Sequence, residues 1–244
     1  MKRSQKVRLN HKRVMKKYIE FLNKQEAVSF AIDGIRYGHP TRELLDLEKK
    51  ESAVRDWFIE NGVFDEIVKE APLNSSETTK KDLEVLLDKT SKVTPEDMSF
   101  ARFVDPNLPQ AFVDFLEFKG LTATMEEYFS IDTQVEPLCF HLKNVINRPR
   151  PYQLAYAFGI PLYPIIHTDA NSAAYPSGHA LTAFVMSEYY ARKHPVIAKE
   201  IRDFGNRIAD SREKMGIHYP SDTEVSRMMS KVIWENQLLN INII

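Results

Sequence analysis

Pro176-Ser177-Gly178-His179-Ala180-Leu181-Thr182-Ala183-Phe184-Val185-Met186 is a polar, proline-led entry that runs straight into an apolar helical stretch. A helix that starts at Gly178 leaves backbone N–H groups without intrahelical partners, beside a serine hydroxyl. With no side chain on Gly178, a ligand could approach its N–H closely, and the helix dipole adds positive potential there. The geometry suits an anion. His179 falls on the same first turn, where it could protonate a departing oxygen. The bland alternative is a capped helix start with a surface histidine.

Two further segments carry residues of matching chemistry. Upstream lies Lys143-Asn-Val-Ile-Asn-Arg148-Pro149-Arg150-Pro151. Lys143 sits near a helix end, and Arg150 stands where a continuing helix would bring both cations to one anion. Pro151 forces an extended backbone at Arg150 and fixes where its guanidinium leaves the chain. Read alone, these charges could simply complement a helix dipole. Downstream lies Ser211-Arg212-Glu-Lys-Met-Gly216-Ile-His218-Tyr219-Pro220-Ser221-Asp222. Arg212 offers a planar fork for phosphate oxygens. His218 and Asp222 are spaced so that a carboxylate can hold one imidazole N–H and leave the other nitrogen as a nucleophile. A helix-capping Asp222 beside an incidental histidine is the plainer reading.

The rest of the chain reads as helices. An amphipathic helix with a basic outer face is expected over the N-terminal stretch with Val14, Tyr18, Phe21 and Leu22. Others are expected over Arg42 to Glu60 and Lys80 to Leu87, after the Thr94-Pro95 start, from near Pro109, and from Met125 to Ile146. Gly and Pro density from Arg148 to Pro164 marks an irregular stretch, and helices resume near Gly178, Pro195 and Ser221. Strand-like alternation is weak throughout, so the fold class is all-α.

Composition bounds the function. The net charge of −1 gives no overall field to select nucleic acid or an anionic membrane, which disfavours both as partners. The single cysteine, Cys139, cannot form an intrachain disulfide and reads as a packed thiol. The basic N-terminus lacks the apolar core of a secretory signal, and no run approaches the ~18 apolar residues of a membrane span. A soluble, cytoplasmic protein is therefore expected, and a homo-oligomer is compatible with the sequence.

Together the segments read Lys-x6-Arg-Pro, Pro-Ser-Gly-His and Ser-Arg-x5-His-x3-Asp, in that order. This resembles the three-part signature of the phosphatidic-acid-phosphatase type 2 (PAP2)/acid phosphatase superfamily, with every signature position occupied. The soluble bacterial class A nonspecific acid phosphatases are the most similar members. The resemblance covers roughly Glu96 to Gln237, which divides the chain into residues 1–90, an N-terminal helical elaboration, and 91–244, a phosphatase core. It implies a helical bundle of the type also found in vanadium haloperoxidases, and a soluble phosphomonoesterase acting through a phosphohistidine. His218 would be the nucleophile, oriented by Asp222, and His179 the proton donor. Lys143, Arg150, Ser177, Gly178 and Arg212 would hold the phosphate. Three cationic side chains would do the work of a metal, so no cofactor is expected and vanadate should inhibit. The substrate partner is then a small phosphomonoester.

The same signature leaves two other readings open. A vanadium-dependent haloperoxidase would carry vanadate as cofactor where phosphate would sit, although those chains are typically much longer. A non-catalytic phosphate- or nucleotide-binding protein would have no need of a nucleophile and an acid. The chain also departs from the class A pattern, with no signal, no paired cysteines, and Thr223-Glu224-Val225 where small residues are usual. The remaining histidines (His11, His39, His141, His167 and His194) match nothing in the signature and read as structural, with His167 placed to line the pocket.

Overall fold

The computed structural model describes residues 28–165 and 171–241. The expected N-terminal amphipathic helix, His11 and His167 lie outside the described residues. Every regular element among the described residues is helical, so the all-α class stands. The first is a short helical stretch over residues 28–33. There follow α1 (Arg42–Glu48), α2 (Ala53–Glu60), α3 (Val63–Glu70), α4 (Glu77–Ser91), α5 (Pro95–Phe118) and α6 (Met125–Ile146). Then come α7 (Pro151–Ala155), α8 (Gly178–Lys193), α9 (Ala198–Lys214) and α10 (Pro220–Glu235).

Side-chain caps set most helix starts. Thr94 caps α5 and Thr124 caps α6, each as half of a reciprocal capping box, with Asp97 and Glu127 returning the bond. Ser177 caps α8 through the Ala180 N–H.

Three sequence expectations need correction. The helix expected over Arg42 to Glu60 is two helices. Ser52 caps α2 through the Arg55 N–H and donates its own hydroxyl to the Gln134 carbonyl of α6. A serine offering the backbone these bonds starts a new helix rather than continuing the old one. The helix α3, not expected from the sequence, follows after Gly62 turns the chain in a left-handed conformation (φ 74°). No new helix begins near Pro109: α5 runs through Pro106 and Pro109 with a kink at Asn107. The Asn107 amide donates to the Phe103 carbonyl at 3.1 Å, which satisfies one acceptor freed at the kink.

The core gathers around α8, which packs on α9, α10 and α6. Its Leu181, Ala183, Val185, Met186 and Tyr190 are out of water. The crossing of α8 and α9 is close at Gly205, where a Cβ would stand 2.1 Å from Ser187 Oγ and 3.0 Å from the Ala183 carbonyl oxygen. Helix α4 packs against both α9 and α10, so a segment from the N-terminal part of the chain lies against the helices that carry Arg212 and Asp222.

Candidate active site

Lys143 occupies the last turn of α6. The helix ends one turn on, because Asn147 adopts a left-handed conformation (φ 50°) and turns the chain. Arg150 therefore reaches Lys143 by a turn and not along a continuing helix. The turn also gives Arg148 and Arg150 separate duties. Arg150 is extended (φ −66°, ψ 154°) in front of Pro151, which opens α7. Its Nε donates to the Ser172 carbonyl at 2.9 Å and its Nη1 to the Ile217 carbonyl at 2.9 Å. Lys143 Nζ donates to the Ala173 carbonyl at 2.5 Å. Burial, with Arg150 beside it, pushes the Lys143 ammonium down to about 7.

His218 stands in the short link between α9 and α10. Its Nδ1 lies 3.1 Å from Asp222 Oδ2, and its Nε2 lies 2.7 Å from Arg150 Nη1. A guanidinium can only donate, so Nε2 carries the lone pair and Nδ1 carries the hydrogen given to Asp222. Burial, then Arg150 and Lys143, hold the imidazole well below its ordinary range, so it is neutral.

Asp222, buried at the first turn of α10, answers to a residue the sequence reading did not single out. Arg148 Nη1 donates to Asp222 Oδ1 at 2.7 Å and to Ser221 Oγ at 2.8 Å. Its guanidinium lies over the Tyr219 ring, 3.8 Å from the centroid. Arg148 Nη2 donates to Thr79 Oγ1 at 3.0 Å, and Asp82 accepts from Ser221, so α4 supports this network from behind. Desolvation pushes the Asp222 carboxyl up, while Arg148 and the Tyr219 N–H favour its charged form.

The Pro176–His179 segment joins the same place. The Ser177 N–H donates to the Asp222 carbonyl at 3.3 Å, and Ser226 Oγ donates to the carbonyls of Asp222 and Ser177 at 2.7 and 3.0 Å. The start of α8 is thereby fixed to the start of α10, with Gly178 and His179 lining one cavity.

Arg212, on α9, is buried and pairs through Nη2 with Asp105 of α5. Among the described residues its Nε and Nη1 have no hydrogen-bond partner. His179 Nε2 lies 2.8 Å from the Asp105 carbonyl oxygen and therefore carries the hydrogen. Pro109 explains why that carbonyl is open to it. It stands where the helix would bond back to Asp105, and proline has no N–H to give. Desolvation and Arg212 hold the His179 imidazole below its ordinary range, against Asp105. The signal that could have found Asp105 was the second proline, read from the sequence as a helix start.

These groups line a cavity of about 380 Å³. Lys143, Arg150, Gly178, His179, Arg212 and His218 all border it, whereas Ser177 and Asp222 are fully buried and do not, Asp222 meeting the cavity only through His218. Cys139 lines it as well and is held as a thiol, with burial pushing it up to about 11. His141 packs against Phe64, and His194 sits at the end of α8, both away from the cavity. Thr223 and Val225 are buried in α10. Among the described residues, no three His, Cys, Asp or Glu side chains are grouped to hold a metal ion. None of the helices among them is long and apolar enough to cross a membrane.

No family model and no curated protein matches the chain. Among solved structures it is similar to one described as the first transmembrane PAP2 type phosphatidylglycerolphosphate phosphatase from Bacillus subtilis. That similarity is 17% identity over 78% of this chain and 94% of that chain, with a TM-score of 0.35.

Proposed function

We propose that this chain is a phosphomonoesterase that forms a phosphohistidine on His218 and needs no metal ion. The observation that carries the reading is the pairing, at one cavity, of a neutral imidazole whose Nε2 lone pair meets Arg150 with a buried arginine, Arg212, whose Nε and Nη1 have no partner among the described residues. Buried donors left unsatisfied are costly, and a phosphate oxyanion is the acceptor whose geometry matches a guanidinium edge.

In this reading Lys143, Arg150 and Arg212 hold the phosphate oxygens, helped by the Ser177 hydroxyl and the Gly178 N–H. Their charge stabilises the equatorial oxygens as the transition state forms. His218 Nε2 attacks phosphorus and the bond to the alcohol oxygen breaks; His179, charged by a second proton beside the bound phosphate and with its Nε2–H kept by the Asp105 carbonyl, gives that oxygen its Nδ1 proton. Water then attacks the phosphohistidine and returns a proton to His179. The N–P bond breaks, releasing inorganic phosphate and restoring the Nε2 lone pair. Asp222 keeps the Nδ1 hydrogen in place throughout, and Arg148 keeps Asp222 charged.

The test is phosphate release from an aryl phosphate in EDTA, with rapid-quench trapping of acid-labile, base-stable phosphate on the protein. His218→Ala should trap none. His179→Ala should lose ~10²- to 10⁴-fold in steady rate yet still show a burst with an activated ester, whose leaving group needs no proton. Activity that disappears in EDTA and returns with magnesium would overturn the metal-free mechanism. A burst from His218→Ala and none from His179→Ala would reverse the two roles.

A further inference from the structure

The residues proposed to hold phosphate account for only part of the cavity lining. Among the α6 residues that line it, Asp132, Glu136, Phe140 and Lys143 fall on one helical face, with Val135 and Cys139 beside them. The face thus runs from two carboxylates, past an aromatic ring, to a buried cation. On α8 the same polarity appears. Gly178 lies at the phosphate end, and one turn further, about 6 Å along the axis, Thr182 donates its hydroxyl to Asp132 Oδ1 at 2.9 Å. Asp132 is largely removed from water, and among the described residues no lysine or arginine is ion-paired with it. Glu136 has the half-exposed Lys50 at 3.4 Å. Tyr128 and Phe129 complete the wall on that side. Among the described residues Lys50 is the one cation that acts on Asp132, and it makes no direct ion pair with it, so the two carboxylates are short of counter-charge.

We propose that the cavity selects a zwitterionic phosphomonoester, a small amino alcohol or amino sugar phosphate. Its ammonium group would sit at Asp132 and Glu136 while its phosphate occupies the Lys143–Arg150–Arg212 end. The proposal rests on the phosphatase reading above and adds the leaving group. Arg212, buried with two nitrogens that have no partner among the described residues, marks where the anion goes. Asp132, held by Thr182 one helical turn beyond Gly178 on α8, is the complementary charge, and the rings of Phe129 and Phe140 suit the flank of an ammonium ion.

The experiment compares kcat/KM for 2-aminoethyl phosphate and 2-hydroxyethyl phosphate, which differ only in the terminal group, at about pH 7.5. Aryl phosphate serves as reference. The wild-type protein should prefer the amino ester by about tenfold or more, as expected of a hydrogen bond to a charged partner. Asp132→Asn, which keeps the acceptor for Thr182, and separately Glu136→Gln, should each pull that ratio towards one. Equal rates on the two esters in the wild type would overturn the proposal, as would a preference untouched in both variants. The wild-type ratio decides even where a variant fails to fold. Hydrolysis of the aryl phosphate without any preference removes the proposal alone, whereas no phosphate release from any of the three esters removes the phosphatase reading with it.

Discussion

Arg150 Nη1 donates to His218 Nε2 at 2.7 Å, so the proposed attacking lone pair is held by one of the cations proposed to hold the phosphate. A phosphate oxygen is a stronger acceptor than a neutral imidazole. Its arrival would draw the Arg150 hydrogen away and free Nε2 where phosphorus sits.

The pH dependence follows from the same cluster. His218 is held well below its ordinary range and stays neutral through mild acid, so it sets no acid limb there. Lys143 is held down to about 7 by burial and by Arg150, so it loses its positive charge as pH rises through that value. The free enzyme should then bind phosphate less well, and kcat/KM should fall on the alkaline side from about pH 7. A kcat/KM profile that is flat between about pH 6 and 9 would contradict this.

Arg148→Ala should cost more in stability than any phosphate-binding substitution. It would leave Asp222 buried without its cation, a loss of about 3–5 kcal/mol. The pair Arg148→Met with Asp222→Asn should recover much of the melting temperature without recovering activity, since His218 would have lost its carboxylate. Thermal melting beside phosphate release separates the effects, and an Arg148→Ala protein as stable as wild type would refute the pairing.

Gly178→Ala should fold normally. A Cβ there would meet Cys139 Sγ at 3.5 Å and Lys143 Cε at 3.9 Å, which is ordinary contact. The methyl would instead occupy the approach of the phosphate to the Gly178 N–H and shift it. We expect a loss on the order of tenfold to 10²-fold in kcat/KM at unchanged melting temperature. Full activity would mean that the ligand does not approach this backbone.

Pro109→Ala gives α5 a hydrogen-bond donor that can take back the Asp105 carbonyl. His179 would lose its partner, so the variant should be as stable as wild type or more so, yet slower on esters with poor leaving groups. Activated esters should be spared, because they depart without a proton. An equal loss on both kinds of ester would show that the carbonyl does not act through His179.

The sequence by itself determined the helical class, most helix starts and the residues that line the cationic end of the cavity. Those features are local. Thr94, Thr124 and Ser177 satisfy N–H groups within their own first turns, and the spacing from His218 to Asp222 is short enough for one turn to bring them together. The tertiary structure alone decided what Arg148 does. Arg148 and Arg150 look alike in the sequence, and the left-handed turn at Asn147, with Pro151 beyond, sends one to Asp222 and the other to His218. It also decided that Asp105, Thr79 and Asp82, from helices distant in sequence, complete the site. A buried charge must find its partner wherever the fold supplies one, and spacing along the chain carries no record of that choice.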